Sequence, residues 1–456
     1  MRLIIVITAL ILTSFPVFAD KKFNKNQHLE LAHYVNNKVY EVCEVQHDYR
    51  FFVEAYSNGN SVPDEVATIN VFKGKFVGLT KSNWTDVKHF VNNGMVWPEK
   101  SIMESDGTYH DKIRPSALFE EKTTSELYKC YKNNIKRTKI KFPTWNVFTQ
   151  NDLFNGLTDN KKITGFGFLE VPKYKHCKQI EKLPVMFIIH HSGGKIFPSY
   201  KWQLHQMCVA TFEPYIYRAR GKENNFFEDE ADIQWITETQ GAVDALQALD
   251  VVAELPYVDS NRIGIMGWSY GGVVTIETQN MFNIKALGTE NRFAMHLAYY
   301  PYCYHYDDVD TTDSPLMIMS AGMDTIAPSH CTERIEKISN ETNNKKHIIF
   351  EKATHNFDGD NIEAGAVSAV DAECRIHIDF NGNETVRTNN KEEWFDITAN
   401  GGWFGGKNDP LAIKKVQKLC WDMEQAVYTP DVDAYKQSQV IFLDYVNKYL
   451  GGNNDR

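Results

Sequence analysis

The stretch Gly264-Ile265-Met266-Gly267-Trp268-Ser269-Tyr270-Gly271-Gly272 decides the fold of this chain, and its centre reads G-x-S-x-G. Residues 262–266 form a short apolar run that predicts a strand, and the residues from about Val273 onward predict a helix. A serine on a sharp turn between a strand and a helix projects from the edge of a sheet, because the flanking glycines let the backbone segments pass closely. The pattern therefore predicts a nucleophile elbow with Ser269 at its tip.

Two backbone N–H groups are expected to face the oxygen of a substrate at this elbow. The N–H of Tyr270 comes first, because it lies at the positive end of the helix that follows Ser269. A glycine-rich turn, His190-His191-Ser192-Gly193-Gly194, follows an apolar run that is typical of a buried strand. We expect Ser192 to supply the second N–H, with Gly193 as the alternative one residue along. Adjacent histidines on an extended segment point apart, so this turn does not predict a metal site.

From residue 144 onward, strand patterns alternate with helix patterns, which predicts a mostly parallel sheet with helices on both faces. An amphipathic helix is expected over residues 231–254, where apolar side chains recur on one face. Apolar runs that are typical of strands cover residues 163–171, 184–189, 209–217, 293–299, 315–320 and 346–351. The predicted fold class is therefore α/β.

Two further residues follow predicted strands and complete a candidate constellation. Asp324 comes directly after the strand at 315–320, where an open α/β sheet collects its site residues. His355 lies on the loop after the strand at 346–351, whereas His347 lies within that strand and is interpreted as structural. Four other carboxylates compete with Asp324 but lie in the loop before its strand: Asp307, Asp308, Asp310 and Asp313.

The chain order Ser269, Asp324, His355 is the order that an α/β sheet with a nucleophile elbow requires. A serine hydroxyl is a weak nucleophile until an imidazole takes its proton, and a carboxylate fixes the tautomer of that imidazole. These residues predict hydrolysis through an acyl-enzyme, with no metal and no cofactor. Because the general base must be unprotonated, we expect activity to rise with pH through the histidine range, at about 6.5.

The same segments resemble the dienelactone hydrolase family of the α/β-hydrolase superfamily. The resemblance rests on residues 258–272 and on three shorter pieces: Tyr300-Pro301-Tyr302-Cys303, Ala321-Gly322-Met323-Asp324 and Ala353-Thr354-His355-Asn356-Phe357. It covers about residues 144–358 and resumes over 434–450. The resemblance implies the α/β-hydrolase fold, the triad and ester hydrolysis. Family members named for dienelactone cleavage use a cysteine where this chain has Ser269, so the resemblance implies a general carboxylesterase.

The first residues of the chain show an export pattern. Met1-Arg2 precedes a short apolar run and then Val17-Phe18-Ala19, which predicts a signal peptide over 1–19 and a periplasmic or extracellular location. The apolar run is too short to span a bilayer comfortably, so we expect no membrane span in the mature chain. Residues 20–143 are predicted to form an N-terminal α+β domain or extension, and residues 144–456 the hydrolase domain. An insertion at about 358–428 is either a lid or a surface decoration.

The net charge bears on which partners the protein can bind, and the cysteines bear on whether disulfides form. The formal net charge of −10 argues against a nucleic-acid partner, which would require a basic face. The lysine-rich stretch at 129–141 is interpreted as a solvated linker face. In an oxidising compartment the eight cysteines are expected to form disulfides. Cys303 and Cys331 flank the Asp324 strand and are predicted to pair, and a Cys374–Cys420 bridge is a second expectation.

Two classes of function remain open at this point. The first is a secreted serine hydrolase that acts on small-molecule esters, with a serine peptidase of related fold as its alternative. The second is a catalytically silent, hydrolase-like binding protein whose lid never opens. A panel of ester and peptide substrates distinguishes the two enzymes, and a fluorophosphonate probe distinguishes either of them from a silent protein.

Overall fold

A computed structural model divides the chain into two compact units, Met1–Cys130 and Tyr131–Arg456. In the first unit, the structure describes the strands β1 (Arg50–Glu54), β2 (Glu65–Asn70), β3 (Lys75–Thr80), β4 (Phe90–Asn92), β5 (Met95–Trp97), β6 (Ile102–Met103) and β7 (Tyr109–His110). β1, β2 and β3 form an antiparallel sheet, and β4–β5 and β6–β7 are antiparallel pairs. The predicted signal peptide lies outside the described residues.

In the second unit, the structure describes residues 134–174, 177–222, 236–306, 310–327, 331–338, 344–358, 367–370, 374–379, 381–388, 391–396, 421–426 and 431–451. The strands are β8 (Ile135–Trp145), β9 (Lys162–Pro172), β10 (Leu183–Ile189), β11 (Ala210–Pro214), β12 (Val258–Trp268), β13 (Met295–Tyr299), β14 (His305–Tyr306), β15 (Leu316–Ala321), β16 (Lys345–Phe350), β17 (Val367–Val370), β18 (Cys374–Ile378), β19 (Glu384–Thr388), β20 (Lys391–Asp396) and β21 (Trp421–Ala426). The helices are α1 (Gln150–Phe154), α2 (Pro198–Gln206), α3 (Glu238–Ala253), α4 (Tyr270–Glu277), α5 (Met281–Leu287), α6 (Cys331–Ile338) and α7 (Val432–Leu450).

An eight-stranded sheet organises this unit, with the strand order β16-β15-β13-β12-β10-β11-β9-β8. All neighbours from β16 to β11 run parallel, and β9 runs antiparallel to both β11 and β8. The prediction of a mostly parallel sheet is confirmed. The carboxyl ends of the parallel strands therefore meet at one edge, which is where such a sheet places its site.

Apolar cores lie on both faces of the sheet, and β10 contributes to each. All residues of β10 are buried, so its side chains alternate between the two faces. Met186 and Ile188 pack in the core that also contains residues of α2 and α7. Phe187 and Ile189 pack in the core on the opposite face, with residues of α3. The continuous apolar run read from the sequence is thus a central strand covered on both sides.

The edge strand β8 corrects one interpretation of the sequence. β8 pairs with β9 along its whole length, so residues 135–141 are strand and not linker. Phe142 and Thr144 are buried, while Lys139 and Lys141 on the other face remain exposed. The misreading arose because only half of an edge strand's side chains are apolar. Exposed lysines on such a strand oppose pairing with a second chain.

A buried ion pair attaches the end of β8 to α3. The Arg220 guanidinium donates to both carboxylate oxygens of Asp244, at 2.7 and 3.0 Å, and the Thr144 hydroxyl donates to the same carboxylate at 2.6 Å. Arg220 also donates to the carbonyl of Trp145 at 3.3 Å. β8 therefore belongs to the second unit, and residue 143, where the sequence suggested a domain boundary, lies inside this strand.

The described part of the late insertion forms small sheets. β18, β19 and β20 join β14 in a four-stranded sheet, and β17 pairs with β21. The Tyr302 hydroxyl accepts from the N–H of Ile376, and the Asn151 amide of α1 donates to the carbonyl of Asn381 at 3.0 Å. The insertion is thus hydrogen-bonded to the segment after β13 and to α1. The alternatives of lid and decoration both stay predictions.

The first turn of α4 packs in close backbone contact with β10 and β13. A Cβ at Gly267 would lie 2.3 Å from the carbonyl oxygen of Gly271, and a Cβ at Gly271 would lie 2.4 Å from that of Ile189. A Cβ at Gly272 would lie 2.8 Å from the carbonyl oxygen of Tyr299. The helix starts at Tyr270, earlier than predicted from the sequence, because these glycines fit into its first turn where it meets β10 and β13.

Two disulfides are present among the described residues. The predicted bridge between Cys303 and Cys331 is confirmed, and it joins the segment after β13 to the start of α6. A second bridge, Cys177–Cys208, joins the segment before β10 to the segment before β11 and was not predicted. The expected Cys374–Cys420 bridge cannot be placed, since Cys420 lies outside the described residues.

We expect the paired change Cys303→Ala/Cys331→Ala to lower the free energy of unfolding by about 3 kcal/mol. The bridge closes a loop with a sequence separation of 28 residues, and its loss restores that loop's entropy to the unfolded chain. Urea denaturation without reductant measures the effect. Cys177→Ala/Cys208→Ala, with a separation of 31, is the control and should lose a similar amount. A variant as stable as the wild type would contradict the stabilising role.

We expect Gly271→Ala to destabilise the protein by about 1–3 kcal/mol, because the added methyl group would overpack the contact between α4 and β10. Gly221→Ala is the matched control, since a Cβ at Gly221 meets open space and experiences only the strain of its φ of +74°. The control should cost about 1 kcal/mol. Urea denaturation of both variants makes the comparison, and equal losses would show that the close approach at Gly271 is not what matters.

Candidate active site

Ser269 lies at the carboxyl end of β12 in a strained backbone conformation. It is the N-cap of α4, with φ 51° and ψ −116°. A positive φ is costly for a residue with a side chain and persists only where the surrounding structure enforces it. The N–H of Ser269 donates to the carbonyl of Tyr299 at 2.9 Å, and its carbonyl accepts from the N–H of Val273 at 3.0 Å. These bonds hold the serine at the top of the sheet.

Asp324 lies in the turn after β15, where its carboxylate is fixed by its own backbone. Its Oδ1 atom accepts from the N–H groups of Ile326 and Ala327, each at 2.9 Å. The side chain is buried. Because one oxygen is engaged by the turn, the other is left to accept from a second partner.

His355 is that partner, and it also reaches the serine. Its Nδ1 atom lies 2.7 Å from Oδ2 of Asp324, and its Nε2 atom lies 3.0 Å from Oγ of Ser269. An ionised carboxylate can only accept, so Nδ1 carries the proton and Nε2 is left to accept from the serine hydroxyl. The structure thus joins the three residues predicted from the sequence in one hydrogen-bonded chain.

The alternatives to Asp324 and His355 lie elsewhere. Asp310 forms an ion pair with Lys285 at 3.0 Å on the surface, and the carbonyl of Asp313 accepts from Asn344. Asp307 and Asp308 lie outside the described residues. His347 contacts the hydroxyls of Ser320 and Thr332, at 2.8 and 2.9 Å, and burial lowers its pKa to about 4. None of the described alternatives is hydrogen-bonded to Ser269.

Tyr270, the predicted first N–H donor, opens α4 directly after the nucleophile candidate. The first N–H groups of a helix have no acceptor within the helix and point outward. Its side chain is buried, and its hydroxyl donates to the carbonyl of Thr237 at 2.9 Å. Its ring lies parallel to that of His190, with ring centres 5.8 Å apart. The orientation of this first helical residue is therefore well determined.

The glycine-rich turn after β10 contains the two alternatives for the second donor. The N–H of Gly193 donates to Nδ1 of His191 at 3.0 Å, and the N–H of Gly194 donates to the carbonyl of His191 at 2.8 Å. Burial, together with the charges of His190, His355 and Lys195, lowers the pKa of His191 to about 4, so the ring is a neutral acceptor. The N–H of Gly193 is therefore already engaged.

A buried carboxylate beneath the site was missed by the sequence analysis, which treated Asp358 as the start of the insertion. Oδ2 of Asp358 accepts from Nε1 of Trp268 at 2.9 Å and from the Tyr200 hydroxyl, and Oδ1 accepts from the Tyr300 hydroxyl at 2.7 Å. Burial raises its pKa to about 6, against the opposing effect of these hydrogen bonds. An acidic residue directly after the aromatic Phe357, three positions past His355, was the available signal.

Tyr300 was also missed as a member of the site. It follows β13 with a φ of 34°, and its ring packs against the ring of His355 with a centroid distance of 4.7 Å. The ring contact and the hydrogen bond to Asp358 are made by the same side chain. In the sequence, Tyr300 stands out only within the piece Tyr300-Pro301-Tyr302-Cys303, which resembles the dienelactone hydrolase family.

The described part of the chain contains no candidate metal cluster and no candidate membrane span. Within those residues, no group of three or more histidine, cysteine, aspartate or glutamate side chains is arranged to hold a metal ion. None of the helices described there combines the length and the apolar composition that a membrane crossing requires.

Comparisons with known proteins bear on this region. The family model described as the dienelactone hydrolase family matches residues 173–379. A stretch of 53 residues is 45% identical to a candidate dipeptidyl aminopeptidase of Schizosaccharomyces pombe; it covers 11% of this chain and only 6% of that relative's length. Solved structures are also similar to this chain at low identity, and two of them are described next. A dienelactone hydrolase-like promiscuous phosphotriesterase from metagenomic libraries has a TM-score of 0.40 at 11% identity, covering 69% of this chain and 99% of the other. An acetyl xylan esterase from Paenibacillus sp. R4 has a TM-score of 0.34 at 16% identity, covering 49% and 79%.

The family match includes the strands β10, β12, β13, β15 and β16, and the three hydrogen-bonded residues Ser269, Asp324 and His355. The mostly parallel sheet with helices on both faces is the α/β-hydrolase fold that the sequence predicted. Residues 173–379 of this chain match the dienelactone hydrolase family, and their sheet has the arrangement of the α/β-hydrolase superfamily.

Proposed function

We propose that this protein is a serine hydrolase that cleaves small-molecule carboxylic esters through an acyl-enzyme. The observation that carries the proposal is the hydrogen-bonded chain from Asp324 through His355 to Ser269, at 2.7 and 3.0 Å. A nucleophile, a base within hydrogen-bond reach and a group that orients the base are the three parts that serine hydrolysis requires. The strained elbow supports the same assignment, because it presents Ser269 at the sheet edge.

The reaction proceeds in two steps, acylation of Ser269 and hydrolysis of the acyl-enzyme. Ser269 Oγ attacks the acyl carbon while His355 Nε2 takes its proton, and Asp324 stabilises the resulting imidazolium. His355 then protonates the leaving alkoxide, which departs as the alcohol and leaves the acyl group on Ser269. In the second step a water molecule gives its proton to His355 and attacks the acyl carbon. Protonation of Ser269 by His355 releases the carboxylic acid and restores the enzyme.

Two N–H groups stabilise the oxyanion that forms in each step. Tyr270 supplies one from the first turn of α4, where the helix dipole favours negative charge. Ser192 supplies the other. The bond between the N–H of Gly193 and His191 supports Ser192 over Gly193, since the latter donor is already engaged. This mechanism uses no metal and no cofactor.

The location of the enzyme is part of the proposal. We infer that the chain is exported to the periplasm or beyond the cell, with residues 1–19 as its signal peptide. The disulfides Cys177–Cys208 and Cys303–Cys331 support this location, because such bridges form in oxidising compartments. Small-molecule esters in that compartment are the proposed substrates.

Peptide hydrolysis is the second candidate activity, and one observation favours it. A stretch of 53 residues is 45% identical to a candidate dipeptidyl aminopeptidase, and this likeness supports the alternative. The same serine chemistry cleaves esters and amides, so the geometry of the three residues does not distinguish them. A panel of aryl esters and aminoacyl arylamides does, and we expect the esters to be turned over faster.

We expect Ser269→Ala to lower the catalytic constant by on the order of a millionfold, as in measured serine hydrolase triads, while the protein stays folded. His355→Ala should be about as damaging, whereas Asp324→Asn should leave more residual rate. The wild-type rate should fall as the pH is lowered, because a protonated His355 cannot accept the serine proton. Hydrolysis of short-chain aryl esters measures all of these effects.

Two controls accompany this experiment. Chelator is present throughout, and a fluorophosphonate probe should label the wild type at Ser269 but leave Ser269→Ala unlabelled. Turnover by Ser269→Ala at the wild-type rate, or loss of activity through the chelator alone, would overturn the mechanism. A wild type that is neither labelled nor active would instead support the silent binding protein.

A further inference from the structure

Asp358 is a buried carboxylate whose hydrogen-bond partners are all neutral. The side chain is 2% exposed, and its oxygens accept from Trp268, Tyr200 and Tyr300. A buried charge is usually paired with an opposite charge, since desolvation penalises an isolated ion. Burying the Asp358 carboxylate without a cationic partner therefore costs free energy of folding, which a purely structural role in the core does not explain.

The direction of the pKa shift of Asp358 agrees with this cost of burial. The ionisable side chains around it are Tyr200, Tyr299 and Tyr300, whose pKa values burial and the negative charge of Asp358 raise well above the usual range. The pKa of Asp358 itself is raised to about 6 by burial. An acid with a raised folded-state pKa contributes stability at low pH, and this contribution is lost as the pH rises through about 6. Ionised Asp358 thus weakens the fold under neutral conditions.

Two of its three partners are adjacent to the proposed reacting groups. Trp268 directly precedes Ser269, so the bond from its indole fixes the end of β12 at the strained turn. Tyr300 packs its ring against His355 and follows Tyr299, whose carbonyl accepts from the N–H of Ser269. Asp358 lies three residues beyond His355 on the same loop. One carboxylate therefore links the segments that carry the nucleophile and the base.

We propose that Asp358 is a positioning residue that holds Ser269 and His355 in register by accepting hydrogen bonds from Trp268 and Tyr300. This inference rests on the proposed serine hydrolase function. The carboxylate accepts from both donors at once, which sets the plane of the indole and the tilt of the phenol ring. Because the Tyr300 ring supports the imidazole, a change in that tilt moves Nε2 relative to the serine oxygen. Small displacements of reacting groups reduce rate far more than affinity.

Asp358→Asn tests the proposal, because it removes the charge and retains the shape. The asparagine oxygen can accept from Trp268 and Tyr200, and its amide can donate to the Tyr300 oxygen. The Tyr300 hydroxyl then turns towards Oδ1 of Asn356, which lies 3.3 Å away. In the variant the Tyr300 oxygen therefore accepts from residue 358 where the wild-type hydroxyl donates to it, while the core remains filled.

We expect the catalytic constant of Asp358→Asn on an aryl acetate to fall roughly 10- to 100-fold, while KM stays within about threefold of the wild type. The thermal midpoint at about pH 8 should equal or exceed that of the wild type, because the desolvated charge is gone. Below about pH 6, where wild-type Asp358 is protonated, this difference should shrink. A residue that only stabilised the core would lose stability and rate together.

A matched pair of tyrosine variants provides the control. Tyr300→Phe and Tyr306→Phe each remove a tyrosine hydroxyl that donates to a buried carboxylate. The carboxylate is that of Asp358 for Tyr300, and that of Glu277, at the far end of α4, for Tyr306. We expect the catalytic constant to fall roughly tenfold in Tyr300→Phe and to stay within about twofold in Tyr306→Phe. The pair also keeps the test valid if Asp358→Asn does not fold.

The wild type and Ser269→Ala are assayed first, so that the two proposals can fail separately. Turnover by Ser269→Ala overturns the proposed function. If Ser269→Ala is inactive and Asp358→Asn retains the wild-type catalytic constant, the positioning role alone is overturned. The positioning role would also be overturned if, in Tyr300→Phe and Tyr306→Phe alike, the catalytic constant fell in proportion to the thermal midpoint.

Discussion

The positive φ of Ser269 is the constraint on which the rest of this structure depends. At this residue the chain turns from β12 into α4, which begins immediately after the serine with its first turn in contact with β10 and β13. Side chains cannot occupy those contacts, so Gly267 and Gly271 make the turn possible. The flanking strands β10 and β13 are fully buried, and a strained backbone persists only where the surrounding structure enforces it. The apolar cores on both faces of β10 meet that need.

The site combines two buried carboxylates with different surroundings. Asp324 is held by two backbone N–H groups of its own turn and directs its free oxygen at His355. Asp358 has side-chain donors from three separate elements, and burial shifts its pKa upward. The first arrangement is local and fixes a tautomer. The second is distributed, and it connects the strand ends to the loop that carries His355.

The outer elements are attached to this centre by polar contacts. The ion pair between Arg220 and Asp244 fastens β8 to α3, and the Cys303–Cys331 bridge fastens α6 to the segment after β13. β18 to β20 extend that same segment through β14. Insertions and edges can therefore vary in this architecture while the strand ends that carry Ser269, Asp324 and His355 keep their places.

The sequence by itself determined the elements whose signals are local in the chain. The elbow is contiguous, and because Asp324 and His355 each follow a parallel strand, they must lie at the same edge of the sheet. A local pattern failed at β8, because an edge strand with alternating lysines resembles a linker. Only the tertiary structure decided the roles of Asp358 and Tyr300. The partners of Asp358 lie 58, 90 and 158 residues away, at no periodic spacing. Their contacts exist only after the sheet and the helices have packed, since burial and directional hydrogen bonding depend on all the elements together.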